Sequence, residues 1–350
     1  MKKNLFEKFR VLLLCLLVAV GLAACSNPRG QDGKTKVDQV IALEEVTLNK
    51  DQVNISEISD QQLKEELENS KEDTITIQPT SWGESWKKGW FDGLIIWPIA
   101  QLINFFASFT DAGWGIILAT LLIQLLIFLL TLKSQISQQG MLELQPEMNR
   151  IQEKYKGKND ERSKMLMAQE TQKLYTDNDI HPFGSILVMF IQLPIMMGMF
   201  YATMRAVTTV YGSFMGMSLA RTPLDGFKAM QIAPIAVYVL MILMSLIQLQ
   251  IPKWLNKYTA RKNKQAYKKQ ESTNSMTNTM NMTMYMTTGL IAIMYLSWPM
   301  AMSFYWLVSS IIRAFTSILS HFLSEKEKDK REQEAKMKRS EGILKHRKKK

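Results

Sequence analysis

Five stretches of this chain are apolar over lengths that cross a bilayer, at 113–133, 183–205, 230–251, 278–297 and 300–323, and they constrain the fold more than anything else in the sequence. A hydrocarbon core of about 30 Å needs roughly 20 residues at ~1.5 Å each when the segment is an α-helix. Inside lipid every backbone N–H and C=O must find a partner within its own segment, so each stretch has to be helical. The expected class is an all-α membrane protein with five transmembrane helices. The chain average hides this, because 47% hydrophobic content and a net charge of +11 would suit a basic soluble protein. The charges, however, are gathered between the apolar runs, as in a multispanning protein with basic cytoplasmic parts.

Two of the runs carry polar side chains on one face. In the first, Thr120, Gln124 and Thr131 share a helical face while Leu, Ile and Phe cover the remainder. A buried amide in hydrocarbon costs several kcal/mol unless it is bonded or hydrated, so Gln124 requires a protein partner or a wet cavity. Interhelical hydrogen bonding and a functional groove both satisfy that demand. In the last run, Arg313 lies about ten residues from the nearer end, too deep for its side chain to reach headgroups without thinning the bilayer or drawing in water. Trp306, Ser309, Ser310, Ser317 and Ser320 recur around it at intervals of three and four. Two striped helices imply a polar groove within the membrane.

Taken in order, the chain opens with Lys2, Lys3, Lys8 and Arg10 before the short apolar run Val11 to Gly21 and the residues Leu22-Ala23-Ala24-Cys25. This is the pattern of a secretory leader over 1–24. The last four residues resemble a bacterial lipobox, which implies diacylglycerol on Cys25; an ordinary leader or an uncleaved anchor is the other reading. Residues 25–81 are polar and free of aromatics, and read as an external tether with a possible short helix. Trp82, Trp86, Trp90, Phe91 and Trp97 then mark an external interfacial amphipathic helix over 82–110, with a further span at Gly93 to Ser108 as its rival.

The insert at 134–182 has charges of both signs and helical spacing on either side of Lys156-Gly157-Lys158-Asn159-Asp160, so it reads as a helical hairpin. Its Lys and Arg residues place it in the cytoplasm. The second span, 183–205, carries Gln192 and Pro194; the proline removes a backbone hydrogen bond and is expected to kink the helix. An external loop at 206–229, a basic cytoplasmic loop at 252–277 and a basic cytoplasmic tail at 324–350 complete a consistent orientation. Met276, Met280, Met282, Met284 and Met286 alternate with Thr and Asn at the start of the fourth span, a composition for an adaptable surface or for core filling. The tail ends Arg347-Lys348-Lys349-Lys350, which can touch ribosomal RNA or anionic lipid, or simply set topology.

Enzymatic chemistry has no footing here. The chain has no phosphate-cradling Gly-rich loop, and His181, His321 and His346 are scattered without metal-ligand spacing, so neither a catalytic residue nor a metal or other cofactor is expected. With Cys25 as the single cysteine after the leader, no intrachain disulfide can form.

Several local motifs nonetheless coincide in order and spacing: Gly115-Ile116-Ile117-Leu118-Ala119-Thr120, Leu144-Gln145-Pro146-Glu147-Met148, Tyr155-Lys156-Gly157-Lys158, Leu174-Tyr175, Pro182-Phe183-Gly184, Gln192-Leu193-Pro194 and Tyr305-Trp306. Together they resemble the YidC/Oxa family of membrane protein insertases, in the lipoprotein form found in Gram-positive bacteria. The resemblance covers about Trp82 to Leu323. It implies a five-span insertase core whose groove opens to the cytoplasm and to lipid, and a multi-pass protein of the bacterial plasma membrane with a lipid-anchored N-terminus outside and its C-terminus in the cytoplasm. Nascent membrane proteins and the lipid bilayer are the implied partners, with the ribosome and the Sec translocon as further ones and no DNA.

In that family a Thr followed four residues later by an Arg on the first span, and an aromatic on the last, line the groove. Thr120 and Tyr305 or Trp306 take those places, but Gln124 stands where the Arg is expected and Ser310 where an Asn commonly stands. Arg313 falls where the family usually has an uncharged residue, so the charge is expected to have moved from the first span to the fifth. The client groove is thus expected to involve Thr120, Gln124, Gln192, Tyr305, Trp306, Ser309, Ser310, Arg313 and Ser317. A solute or anion transporter using Arg313, and an assembly chaperone beside the Sec translocon, are the competing functions.

Overall fold

The computed structural model describes residues 28–57, 61–70, 72–158, 160–178, 180, 183–262 and 275–347. Cys25, the leader and Lys348 to Lys350 lie outside the described residues, as does most of the basic loop after position 262. The element order is β1 (Val46–Asn49), α1 (Gln61–Asn69), β2 (Thr74–Ile77), α2 (Trp82–Lys88), α3 (Trp97–Ser108), α4 (Ala112–Glu143), α5 (Gln145–Lys154), α6 (Glu161–Asp177), α7 (Phe183–Arg205), α8 (Val207–Tyr211), β3 (Ser213–Phe214), β4 (Met217–Ser218), α9 (Pro223–Lys228), α10 (Ile232–Lys262), α11 (Ser275–Tyr295) and α12 (Met300–Arg347). The protein is predominantly helical, as the apolar runs demand. Among the described residues three helices are long and apolar enough to cross a membrane, at Ala112–Leu142, Ile232–Thr259 and Met300–Lys330.

The residues divide into two compact units. The first comprises residues up to Leu122, Leu193–Met241 and Ala292–Val308. Its N-terminal part corrects the expectation of a tether over 25–81. β1 and β2 pair antiparallel with Val46 opposite Ile77, and β2 buries Ile75 and Ile77 while exposing Thr74 and Thr76. Val37, Val40, Ala42, Leu48, Val53, Ile75, Ile77 and Val207 form a small core. The core escapes a reading by local runs because its members are dispersed singly and one, Val207, comes from far along the chain.

That core is tied to the end of α7 by backbone and side chain together. The N–H of Ile41 donates to the carbonyl of Arg205 at 2.7 Å, and the N–H of Val207 donates to the carbonyl of Ile41 at 2.9 Å. Asn104 on α3 donates to the same Ile41 carbonyl at 2.8 Å, and its own side-chain oxygen accepts from the hydroxyl of Thr208 at 2.8 Å. Arg205 is buried; it forms an ion pair with Asp92, also buried, and donates from Nε to the Gln39 carbonyl at 2.9 Å. A buried guanidinium is tolerated only with such compensation.

The expected single interfacial helix at 82–110 is instead two helices. Ser81 and Glu84 form a capping box at the start of α2, and Gly89, with φ of 152°, ends it; a π-turn at Asp92–Ile96 then leads into α3. A left-handed φ of this kind is open to glycine and strained for other residues, so the break is local in origin. After the three residues Phe109 to Asp111 α4 returns against α3, and Gly115 permits the approach: a Cβ there would sit 2.8 Å from the Ile103 carbonyl oxygen and from the Ala107 Cβ. The stretch expected as an external loop at 206–229 is folded too, into α8, the β3–β4 pair and α9.

The second unit comprises Ile123–Gln192, Ile242–Ile291 and Ser309–Lys350. It contains the expected hairpin, as α5 and α6. Asp160 caps α6 by accepting from the Ser163 N–H at 2.9 Å, and Lys154 and Tyr155 both donate to Glu170 across the pair. Those donors hold the Glu170 carboxyl below the usual carboxylate range. Three boundaries move relative to expectation. α4 continues to Glu143, α10 to Lys262 and α12 without interruption to Arg347, so the ends of the apolar runs at 133, 251 and 323 are changes of composition within continuous helices. Hydrogen bonding along a helix does not stop where hydropathy does. α7 likewise passes through Pro194 as one helix.

Candidate functional site

Within the second unit, one face of α12 is polar and meets polar residues of α4 and α10. Gln124 of α4 donates from Nε2 to Ser309 Oγ at 3.1 Å. Ser310 Oγ lies 3.2 Å from Ser245 Oγ of α10, and it also accepts from Arg313 Nη2 at 3.5 Å. Arg313 Nε donates to Gln248 Oε1 at 3.3 Å. One and two turns further on, Gln139 Nε2 donates to Ser317 Oγ at 3.0 Å, and Thr259 Oγ1 stands 3.0 Å from His321 Nε2 while donating to Glu325 at 2.9 Å. Positions 310, 313, 317 and 321 of α12 advance by three or four, which is why they share a face, and Ser309 borders it.

The burial of this seam is graded. Ser309 and Ser310 are fully buried and Gln124 is 5% exposed, so their polar atoms are enclosed and bonded to one another. Arg313 is half-buried. A guanidinium carries five N–H donors and keeps its charge in any protein environment, so the seam offers a permanent cation at a partly open position. On the opposite side of the same helix Ile311, Phe315 and Phe322 are exposed, which leaves α12 apolar outward and polar inward.

Of the residues expected in the groove, Gln124, Ser309, Ser310, Arg313 and Ser317 are brought together in this seam. Gln192 is half-buried on α7 in the same unit. Thr120, Tyr305 and Trp306 belong to the first unit. There Thr120 is fully buried and donates to its own helix at the Ile116 carbonyl, 2.7 Å away. Tyr305 is fully buried against Trp306, whose ring lies 5.1 Å from that of Tyr295. Sequence reasoning missed Gln139, Ser245, Gln248 and Thr259. Ser245 and Gln248 stand three apart in an otherwise apolar run, a signal of the same kind as the one read in the first and last spans.

Among the described residues no group of three or more His, Cys, Asp or Glu side chains is placed to hold a metal ion. What the seam can do is hydrogen-bond: hydroxyls and amides that both donate and accept, with one cation, in a helical setting that is apolar elsewhere.

Comparison with known proteins gives this arrangement a context. The sequence profile of the 60Kd inner membrane protein family matches residues 104–329. The chain is 29% identical over 249 residues to membrane protein insertase YidC 1 of Listeria monocytogenes serotype 4b, covering 71% of this chain and 76% of that protein. It is 27% identical over 233 residues to membrane protein insertase YidC of Oceanobacillus iheyensis, covering 66% of this chain and 83% of that one. A shorter match, 35% over 131 residues, joins it to membrane protein insertase MisCA of Bacillus subtilis, with 37% of this chain and 50% of the relative covered.

Proposed function

This chain belongs to the 60Kd inner membrane protein family, the YidC/Oxa insertases, and from that membership we propose that it inserts client proteins by passing their short polar segments along the Arg313 seam. The observation that carries the proposal is the hydrogen-bonded polar face of α12, with Gln124, Ser309, Ser310 and Arg313 joined by Ser245 and Gln248. A polar segment entering hydrocarbon loses its hydrogen bonds to water, at several kcal/mol per group. Side chains that accept and donate within the membrane return part of that energy and lower the barrier, without nucleotide hydrolysis. The client's apolar segment meanwhile rests on the exposed face of Ile311, Phe315 and Phe322. Thr120, Gln192, Tyr305 and Trp306 are further client contacts on this reading, on the strength of the family resemblance.

The accompanying topology has five spans, with α7 and α11 joining the three long apolar helices. The N-terminus is outside and anchored by diacylglycerol on Cys25, and the hairpin and the basic tail are in the cytoplasm. The tail is then positioned to meet the ribosome, and the core to act beside the Sec translocon. Insertion of a single-span client into vesicles containing only the purified protein tests the function. Arg313→Gln is expected to slow it at least tenfold, and restoring charge from the opposite helix with Gln124→Arg is expected to recover part of the loss. Full activity of Arg313→Ala alone, with Gln124→Arg plus Arg313→Ala inactive, would sink the relocated-charge reading. Solute flux without insertion would establish a transporter, and client binding without either would establish an assembly chaperone.

A further inference from the structure

A cavity of about 440 Å³ lies within the first unit. Its walls are the Arg29 to Gly33 segment, the last turns of α7 at Phe200, Tyr201 and Met204, and the turn between α11 and α12 at Ser297. The volume falls in the ordinary range for small-ligand sites, roughly 300–1,000 Å³.

The Arg29 wall is built. Arg29 bridges to Thr35, Gly30 N–H donates to the Lys34 carbonyl at 2.9 Å, and Thr35 Oγ1 donates to the Met204 carbonyl at 2.9 Å in a buried setting. Arg29 Nη2 donates to the Ala220 carbonyl at 2.9 Å, which aims the guanidinium. Burial lowers its pKa, countered in part by Asp225, yet an arginine remains charged. Asp225 is itself engaged by the N–H and hydroxyl of Thr222 at 3.0 and 2.8 Å. The other wall carries the rings of Phe200 and Tyr201; behind it Phe200 packs on Trp298 at 4.5 Å, and Trp298 on Tyr295 at 4.9 Å.

A guanidinium among aromatic rings at the ends of apolar helices is the chemistry of the headgroup level of a bilayer. Tyr and Trp collect at that depth, and Arg matches phosphate through paired N–H donors. Basic pockets between membrane helices take anionic headgroups on the same physical grounds. We propose that the Arg29 cavity binds the phosphate ester of an anionic glycerophospholipid. The site needs only that these helices cross the membrane, and it stands or falls separately from the insertion route along Arg313.

Native mass spectrometry of the full-length protein, released from detergent and titrated with phosphatidylglycerol, tests the assignment. The wild type retains one lipid, while Arg29→Gln weakens retention about tenfold, the scale of a charge-assisted hydrogen bond. Ser297→Phe, which fills the cavity from its exposed rim and leaves the Arg29 bond to Ala220 in place, gives the same loss with an unchanged thermal melt. Displacement of the lipid by glycerol 1-phosphate at equal concentration keeps the phosphate site and assigns it a soluble ligand. Binding by Arg29→Gln that matches wild type, or equal retention of phosphatidylcholine, overturns the proposal.

Discussion

Replacing Asp92 with alanine leaves the Arg205 guanidinium buried and charged, and the consequence is calculable. Arg205 is 3% and Asp92 6% exposed, so neither charge is screened by solvent. Breaking a buried pair by removing one partner costs about 3–5 kcal/mol. Because Arg205 Nε keeps its bond to the Gln39 carbonyl, the low end, about 3 kcal/mol, applies here. The loss falls on the strap where Ile41 donates to the Arg205 carbonyl at the end of α7 and accepts from the Val207 N–H. At 1.4 kcal/mol per factor of ten, local opening there rises roughly a hundredfold. Hydrogen exchange on the Ile41 and Val207 amides measures this directly, with the α5–α6 hairpin as an internal control. The paired change Asp92→Leu with Arg205→Met restores most of the protection, since well-packed apolar replacements of a buried pair are often neutral. Exchange at Ile41 and Val207 that changes less than fivefold in Asp92→Ala would refute the claim that this ion pair holds the N-terminal module.

Gly115→Val forces a side chain into the contact of α3 with α4, where even a Cβ meets the Ile103 carbonyl oxygen at 2.8 Å; overpacking of this kind costs about 1–3 kcal/mol and is read as a lowered melting temperature. Gln124→Leu removes one interhelical hydrogen bond, worth ~0.6 kcal/mol in membranes, so stability barely moves while client insertion falls; a large loss of stability with unchanged insertion would make Gln124 structural. The hairpin is expected to loosen in acid. Glu170 is held below the usual carboxylate range by Lys154 and Tyr155, so its contribution is complete above the ordinary value of about 4.3 and disappears as pH falls through the lowered one. Protection of the α6 amides, corrected for the intrinsic pH dependence of exchange, is therefore constant from neutrality to about pH 5 and falls once the pH drops under the ordinary carboxyl value, and Glu170→Gln reproduces the acid behaviour at neutral pH.

The helices were legible because lipid leaves the backbone a single solution over each apolar run. The polar faces on the first and last runs were legible because Gln124 and Arg313 are too expensive in hydrocarbon to lack a role. Their pairing was not: Ser245 and Gln248 are spaced like the other two stripes and Gln139 lies past the first apolar run, but only the packing of α4, α10 and α12 decides which side chains meet. The residues before β1 were misread for a related reason. A core assembled from scattered apolar residues and completed by Val207 leaves only the short alternation Thr74-Ile75-Thr76-Ile77 as a trace in its own segment.

Sequence alone determined the solvent of this protein, the number and kind of its apolar runs, the hairpin and the position of a cation deep in one of them. These follow from local composition and helical spacing, which act over a few residues at a time. Tertiary structure decided which side chains satisfy that cation, that the polar residues before the first span make a folded module pinned through Asp92 and Arg205, and that a cavity forms beside Arg29. Each of those depends on bringing together residues a hundred or more positions apart, or on helices packed at one rotation rather than another, and local pattern carries no record of either.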